Sequence, residues 1–177
     1  NAEMKIGCNL TVILCEGWKR NWLHPDTGNV WVMPSLGMPR FETSLLYTGT
    51  CLFEGTNLSE GRGTAAPFEI IGAPFIDAIQ LVEVMQSKNL PGVLFSPSYF
   101  KPSFSKFTNQ QCEGIHIHIA DQKEYQSAKT GLELLFTIKE MYEENFEFLP
   151  PYQEGNRRFI ELLFGSDKIT DTTVKKE

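Results

Sequence analysis

The residues of this chain best equipped for chemistry lie together in one short run, residues 52–64, which we call the polar loop. It holds three glycines, two carboxylates, a guanidinium, an amide and three hydroxyls, with apolar sequence on both sides. Glycine lets the backbone approach a ligand closely, and the polar groups can converge on a ligand that carries many hydroxyls. The same inventory also suits a polar turn whose Asn and Ser side chains bond their own backbone. Composition leaves both interpretations open.

The two carboxylates of the polar loop, Glu54 and Glu60, are natural candidates for acid–base work. Glycoside hydrolysis commonly uses two carboxyl groups, about 5 Å apart for retention or roughly 6.5–9.5 Å apart for inversion. Six residues of loop allow any separation from contact to ~20 Å, so the spacing does not choose. Arg62 can hold a ligand carboxylate bidentately, or it can pair with Glu54 or Glu60. An internal ion pair would suit substrate positioning better than acid catalysis, because it favours the ionised carboxylates.

Other motifs indicate little chemistry. Residues 61–66 match the GxGxxA dinucleotide fingerprint, but Pro67 follows where a helix should continue. His116 and His118 could supply two metal ligands, with Glu113 or His24 as a third, although a closed site needs three or four. Paired histidines on the outer face of a strand are more often plain polar positions, and the cysteines show no zinc spacing. The sequence therefore predicts no metal and no other cofactor.

Composition and charge describe an ordinary globular domain. The chain has 177 residues, of which 41% are hydrophobic and 21% charged. Its formal charge of -6 argues against a nucleic-acid partner. No apolar stretch approaches the ~20 residues that span a bilayer, and no leader pattern is seen, so we expect no membrane insertion. We predict one domain over residues 3–169 and a frayed polar tail over residues 170–177.

Strand patterns recur along the chain. The alternation of apolar residues in 9–14 and 115–119 is typical of half-buried strands, and residues 68–71 and 93–95 are short apolar runs that suit buried strands. A cluster of turn residues lies at 24–28. With the helices described next, these segments predict an α+β fold with a single mixed sheet of about four or five strands packed with helices.

Three shorter segments predict helices. Residues 41–51 form a short helix that enters the polar loop. Residues 78–85 carry apolar side chains at helical spacing, with Asp77 placed to cap them. Residues 159–164 form a last helix, ended by Gly165.

The longest predicted helix follows Asp121, which with Glu124 would form its capping box. Gly131 inside this helix predicts a close packing neighbour, because glycine costs about 1 kcal/mol against alanine there. The predicted core stripe consists of Tyr125, Ala128, Leu132, Leu135, Phe136 and Tyr142.

The polar loop and the residues after it, through residue 76, resemble the NamZ/YbbC-like family of bacterial exo-β-N-acetylmuramidases, long described as a domain of unknown function. Further matching segments cover nearly the whole chain up to about residue 169. They are residues 18–20, 38–39, 90–93, 100–106, 112–114, 129–131 and 146–148.

Members of this family have two halves, an N-terminal Rossmann-like half and a C-terminal half, with the active site in the cleft between them. The resemblance implies that this chain is the C-terminal half and that the N-terminal half is its partner. The family's proposed catalytic glutamate lies in a Gly-Pro-Glu-His-Gly motif of the N-terminal half, and this chain has no such motif. The resemblance therefore implies binding of terminal N-acetylmuramic acid or a muropeptide more firmly than hydrolysis by this chain alone. It also implies a periplasmic or extracellular location, with any export signal in the N-terminal half.

The resemblance also implies roles for residues of the polar loop. Asn57 and Thr64 would bond sugar hydroxyls or the N-acetyl group, and Arg62 would meet the lactyl carboxylate. Glu60 is the candidate for a catalytic role, orienting the reacting water or the catalytic partner from the other half. The expected cleft wall consists of Glu54, Asn57, Ser59, Glu60, Arg62 and Thr64.

One departure from the family pattern lies at Gly37, where the family usually has the asparagine of Pro-Ser-Pro-Asn-Met-Pro. Its absence would remove a polar contact if that position faced the cleft. Phe53 and Phe68 would either stack on the apolar face of the sugar or belong to the core. The rival interpretation of the whole chain is a non-catalytic module for peptidoglycan-sugar binding or assembly. Release of the sugar from a muramic acid glycoside, as opposed to binding alone, distinguishes the two.

Overall fold

The computed structural model of the protein describes residues 7–171, which divide into two compact units, residues 7–32 and residues 33–171. The smaller unit contains a 3-10 helix, His24–Thr27, in which the Asp26 carboxylate accepts a hydrogen bond from the N–H of Leu23. Gly28 ends this helix in the left-handed conformation. The turn predicted at residues 24–28 is confirmed.

The strand predicted at residues 9–14 is wrong. This segment has no regular secondary structure, and the side chains of Leu10, Val12 and Leu14 are exposed. Alternation of apolar residues is a local pattern, whereas a strand forms only where a neighbouring strand takes up its N–H and C=O groups.

The larger unit combines helices with a three-stranded antiparallel sheet, so the predicted α+β class is confirmed. Within residues 7–171 the sheet has three strands instead of four or five, and it is antiparallel instead of mixed. None of the helices in this range has the length and apolar character needed to cross a membrane. Most of the predicted tail, residues 172–177, lies outside the described residues. The elements are α1 (Phe41–Thr50), a 3-10 helix (Cys51–Gly55), β1 (Ile70–Ala73), α2 (Ala78–Ser87), β2 (Val93–Phe100), β3 (Cys112–Ile119), α3 (Ser127–Met141), α4 (Phe159–Phe164) and a 3-10 helix (Asp167–Ile169).

β3 is the central strand of the sheet, between β1 and β2. β1 begins two residues later than the apolar run 68–71 suggests, because Phe68 has a left-handed backbone with φ 61°. β2 continues five residues beyond the predicted 93–95 and includes Pro97. Proline is tolerated there because β2 is an edge strand with a neighbour on one side only.

One face of the sheet and the helices enclose the main core. Ile71 lies opposite Ile115, and Phe95 lies opposite Ile117, and all four side chains are buried. α2 packs on β2 and β3, and its Leu81 and Met85 are fully buried. The predicted N-terminal cap of α2 is confirmed, since the Asp77 carboxylate accepts a hydrogen bond from the N–H of Gln80 at 2.9 Å.

The phase of α3 differs from the prediction. Asp121 caps a turn that precedes the helix, accepting from the N–H groups of Lys123 and Glu124, and α3 itself begins at Ser127. Of the predicted stripe only Leu135 is fully buried, and Ala128 is exposed. The buried face of α3 is therefore rotated from the predicted stripe and includes two threonines and a glycine. Its buried positions are Thr130, Gly131, Leu134, Leu135, Thr137 and Ile138.

α1 and α3 cross at two glycines. A Cβ atom on Gly131 would lie 2.4 Å from the carbonyl oxygen of Gly49, and one on Gly49 would lie 2.1 Å from the carbonyl oxygen of Ser127. These distances are far below van der Waals contact, and the atoms approached belong to the backbone. The close neighbour predicted at Gly131 is therefore confirmed.

We expect Gly131→Ala to lower the free energy of unfolding by about 1–3 kcal/mol, the usual cost of overpacking. Without the backbone contact, the same change would raise it by about 1 kcal/mol through helix propensity. A lower urea unfolding midpoint would therefore show that the backbone contact dominates, and a higher midpoint would show that helix propensity dominates. Lys129→Ala, exposed on the same helix, is the matched control and should shift the free energy of unfolding by less than about 0.5 kcal/mol.

Candidate functional site

The polar loop runs from the 3-10 helix after α1 to the edge of the sheet. Ser59 and Gly72 exchange two backbone hydrogen bonds, of 2.8 and 3.0 Å, and so attach the loop to the outer side of β1. Near the start of the loop, Thr56 forms an antiparallel bridge with Phe148. The loop is therefore fixed at two points to elements that are distant in sequence.

Four charged side chains form the centre of this region, and we call them the Arg62 cluster: Glu54, Glu60, Arg62 and Lys106. Arg62 uses Nη2 to bind Glu54 at 3.0 Å and Nε to approach Glu60 at 3.3 Å. Lys106 binds the other oxygen of Glu60, with Nζ at 2.9 Å from Oε2. The internal ion pair that the sequence left open is thus present, and it involves both carboxylates of the loop.

Lys106 was not identified as a site residue from the sequence. Its Nζ donates three hydrogen bonds, to the carbonyl oxygens of Phe53 and Leu58 and to Glu60. Burial lowers the pKa of Lys106 from its ordinary value, and the attraction of Glu60 opposes that shift. The ammonium group therefore bonds three residues of the polar loop to one another, although Lys106 is 46 residues away in sequence from Glu60.

Unusual backbone conformations surround the Arg62 cluster. Ser105 and Phe107, on either side of Lys106, have φ angles of 73° and 56°, and Phe68 has φ 61°. Left-handed backbone is strained for residues with bulky side chains, and such strain concentrates at functional sites. Phe68 is also the residue over whose ring the Arg62 guanidinium lies, 4.8 Å from the centroid. The three left-handed residues thus lie beside the two cations: Phe68 beneath Arg62, and Ser105 and Phe107 next to Lys106 in the chain.

Exposure divides the cluster into a buried and an open part. The side chain of Glu60 is 3% exposed, whereas those of Glu54 and Arg62 are 19% and 36% exposed. Each oxygen of Glu60 pairs with a cation of the protein, so in this arrangement the carboxylate positions Arg62. A catalytic role for Glu60 stays a prediction.

The Gly37 turn lies beside the open part of the cluster. A Cβ atom on Gly37 would be 3.4 Å from Nη1 of Arg62 and 3.3 Å from the ring of Phe68. Nη1 takes part in neither ion pair of Arg62. Position 37 therefore adjoins the side of the guanidinium that is not engaged by Glu54 or Glu60, as expected if it faces the site.

Three other residues of the expected cleft wall have their polar atoms engaged by the backbone. Asn57 donates to the carbonyl oxygen of Asn145 and accepts from the N–H of Glu147. Ser59 is buried and accepts from the N–H of Gly61, and Thr64 both donates to Gly61 and accepts from the N–H of Ala66. These contacts shape the loop, and a contact of these three residues with the sugar stays a prediction.

The two phenylalanines are core residues. Phe53 and Phe68 are 0% and 1% exposed, which is incompatible with stacking on a sugar in this arrangement. Phe68 instead lies under Arg62 and meets Tyr47 edge-on, with centroids 4.7 Å apart. Burial raises the pKa of the Tyr47 hydroxyl above its ordinary value, and the nearby Glu54 carboxylate adds to that shift.

A second polar cluster, the Glu69 cluster of Arg40, Thr43, Glu69 and His116, lies at the other end of α1. The buried carboxylate of Glu69 accepts from Arg40 and Thr43, and His116 Nε2 lies 3.7 Å from it. Burial disfavours the ionised form, but the neighbouring His116, the hydrogen bond from Thr43 and the charge of Arg40 outweigh it and lower the pKa of Glu69. Of this cluster, Arg40, Glu69 and His116 line a groove of about 230 Å³ together with His118.

The two histidines of β3 face this groove. Their rings lie 4.2 Å apart, and Nε2 of His118 is 2.8 Å from the hydroxyl of Ser96. Burial and the neighbouring His116 lower the pKa of His118. Among residues 7–171, no group of three or more His, Cys, Asp or Glu side chains is arranged to hold a metal ion.

The chain resembles known proteins over most of its length. A family model described as "Exo-beta-N-acetylmuramidase NamZ, C-terminal" matches residues 45–177. The peptidoglycan beta-N-acetylmuramidase NamZ of Bacillus subtilis (strain 168) is 45% identical over 149 residues, which are 84% of this chain and 36% of that protein. This chain thus spans about a third of the length of that relative.

A solved structure shows the same fold. The crystal structure of a DUF1343 family protein from Bacteroides fragilis matches with a TM-score of 0.75 at 23% sequence identity. The match covers 87% of this chain and 40% of the other chain.

We expect Glu69→Gln to reduce stability at neutral pH more than in acid. The folded-state pKa of Glu69 is lowered from the ordinary 4.5, so the stabilisation is present above that value and is lost as the pH falls through the folded-state pKa. Urea unfolding of both proteins at pH 7 and pH 3 measures this, and the difference between them should shrink at pH 3. Glu42→Gln, exposed in the same groove, is the control. A difference that stays constant with pH would show that the ionised carboxylate is not what stabilises the fold.

Proposed function

This chain belongs to the family of NamZ C-terminal domains, and on that basis we propose that it is the substrate-binding half of an exo-β-N-acetylmuramidase. The substrate is the terminal N-acetylmuramic acid of peptidoglycan fragments, as a free sugar end or within a muropeptide. The catalytic acid comes from an N-terminal half, and the site lies in the cleft between the halves. Because the substrate is cell-wall material, the protein acts in the periplasm or outside the cell.

The observation that carries the proposal is the state of Arg62. Its guanidinium is fixed by Glu54, Glu60 and the ring of Phe68, yet its side chain is 36% exposed, and Nη1 is used by neither carboxylate. A fixed guanidinium presents its donors without a further loss of conformational entropy on binding. Such a group is suited to a carboxylate of a ligand.

N-acetylmuramic acid differs from N-acetylglucosamine by a lactyl group, which carries a carboxylate. In the proposal Arg62 receives that carboxylate at the Nη1 side, beside Gly37. A hydrogen bond that involves a charged group contributes about 1.5–3 kcal/mol, enough for a clear preference between the two sugars. Glu54 makes this preference smaller, because its partly exposed carboxylate binds the same guanidinium and repels a ligand carboxylate.

The rival function, a non-catalytic sugar-binding or assembly module, draws support from Glu60. The carboxylate that the sequence selects for chemistry is enclosed by Arg62 and Lys106. A muramic acid glycoside with a chromogenic leaving group separates the two functions. Release of the chromophore only when an N-terminal half is present supports the enzyme, and binding without release in its presence supports the module.

We expect Arg62→Ala to weaken binding of the methyl β-glycoside of N-acetylmuramic acid, whose lactyl carboxylate is free, about 10- to 100-fold, corresponding to roughly 1.5–3 kcal/mol. Binding of methyl N-acetyl-β-glucosaminide should change by less than about threefold, because that sugar offers no carboxylate to the guanidinium. Affinity is measured by calorimetric titration of the chain alone and together with an N-terminal half.

Arg62→Lys is the matched variant, since it keeps the charge but not the planar donors, and it should fall between the wild type and Arg62→Ala. Equal losses for both sugars would remove the carboxylate role of Arg62.

A further inference from the structure

We infer that Lys106 is a specificity-determining residue of the Arg62 site: by neutralising Glu60, it leaves the charge of Arg62 available to an acidic ligand. The inference rests on the proposed function, because it concerns the same ligand carboxylate. Lys106 itself does not touch that ligand and acts through Glu60.

The contacts place Lys106 on the far side of Glu60 from Arg62. Oε1 of Glu60 faces Nε of Arg62 at 3.3 Å, and Oε2 faces Nζ of Lys106 at 2.9 Å. One carboxylate is thus shared between two cations. The other two donors of the ammonium group point to the carbonyl oxygens of Phe53 and Leu58, so its position is fixed by three acceptors.

Charge balance gives the effect its sign. The Arg62 cluster contains two carboxylates and two cations, so its formal charge is zero. Without Lys106 the remaining Glu54, Glu60 and Arg62 carry a net charge of about -1, and a ligand carboxylate meets net repulsion. Without the charge of Glu60 the cluster carries about +1, and the same ligand meets net attraction.

Burial makes these charges effective. Glu60 is 3% exposed and the Lys106 side chain 22% exposed, so solvent screens their interaction less than it would at the surface. The left-handed residues Ser105 and Phe107 hold the Lys106 backbone on both sides. A loop that only connects β2 to β3 has no need for that strain.

The test measures binding of two sugars by the full chain: the methyl β-glycoside of N-acetylmuramic acid, which is acidic, and that of N-acetylglucosamine, which is neutral. The proteins compared are the wild type, Lys106→Met, Glu60→Gln and the double variant. Lys106→Met should weaken binding of the acidic sugar about tenfold, and Glu60→Gln should strengthen it severalfold. The double variant should lie close to the wild type, and binding of the neutral sugar should stay within about threefold throughout.

A purely structural role for Lys106 gives a different result, because misfolding weakens both sugars and cannot strengthen either. Tighter binding of the acidic sugar by Glu60→Gln therefore keeps the inference testable even if Lys106→Met folds poorly. Equal losses of both sugars in a Lys106→Met protein that folds normally, or weaker binding of the acidic sugar by Glu60→Gln, overturn it.

Arg62→Ala separates this inference from the proposed function. If Arg62→Ala abolishes the preference for the acidic sugar while Lys106→Met and Glu60→Gln leave it unchanged, only the role of Lys106 is wrong. If Arg62→Ala also leaves the preference unchanged, the carboxylate site itself is wrong. As a second readout, the effect of Lys106→Met on the acidic sugar should shrink as salt rises from 0.05 to about 0.5 M.

Discussion

The buried carboxylate of Glu60 is the constraint on which the candidate site depends. A carboxylate that is removed from water is unfavourable unless cations or donors replace the lost solvent, and Glu60 has a cation on each oxygen. Arg62 and Lys106 come from different segments, so this requirement brings the polar loop together with the β2–β3 connection. Gly63, where a Cβ atom would meet the backbone of Phe104, and the left-handed residues around Lys106 lie where these two segments meet.

Arg62 links this internal requirement to the proposed function. One part of its guanidinium neutralises carboxylates of the protein, and the Nη1 side lies beside a glycine at an accessible position. The same interactions that stabilise the loop thus set the orientation of the group proposed to meet the ligand. In this arrangement, the stability of the loop and the proposed recognition of the sugar would share one set of contacts.

The sequence predicted the local features better than the distant ones. The helix at residues 41–50, the cap at Asp77, the turn ended by Gly28 and the close approach at Gly131 each depend on a few neighbouring residues, and each is present. The strand at residues 9–14 failed because alternation does not reveal whether a partner strand exists. The phase of α3 was misjudged because Thr130 and Thr137 are buried polar residues, which a hydrophobic stripe does not include.

For the candidate site, composition selected a segment but not the arrangement within it. Glycine and charge content singled out the polar loop, in which the side chain of Arg62 is 36% exposed. The sequence could not show that Asn57, Ser59 and Thr64 bond the backbone, because the partners of Asn57 lie near residue 146. Lys106 escaped notice for the same reason, since pairing over 46 residues leaves no trace in local spacing.

The crossing of α1 and α3 at Gly49 has a mechanical consequence for both polar clusters. Thr43 and Tyr47 lie one turn apart on α1, the first bonded to Glu69 and the second packed on Phe68. A tilt of α1 would therefore displace both clusters together, with the glycine crossing as its pivot. Because backbone touches backbone at this crossing, α1 has little room to slide along α3. The positions of the two clusters are therefore coupled through α1.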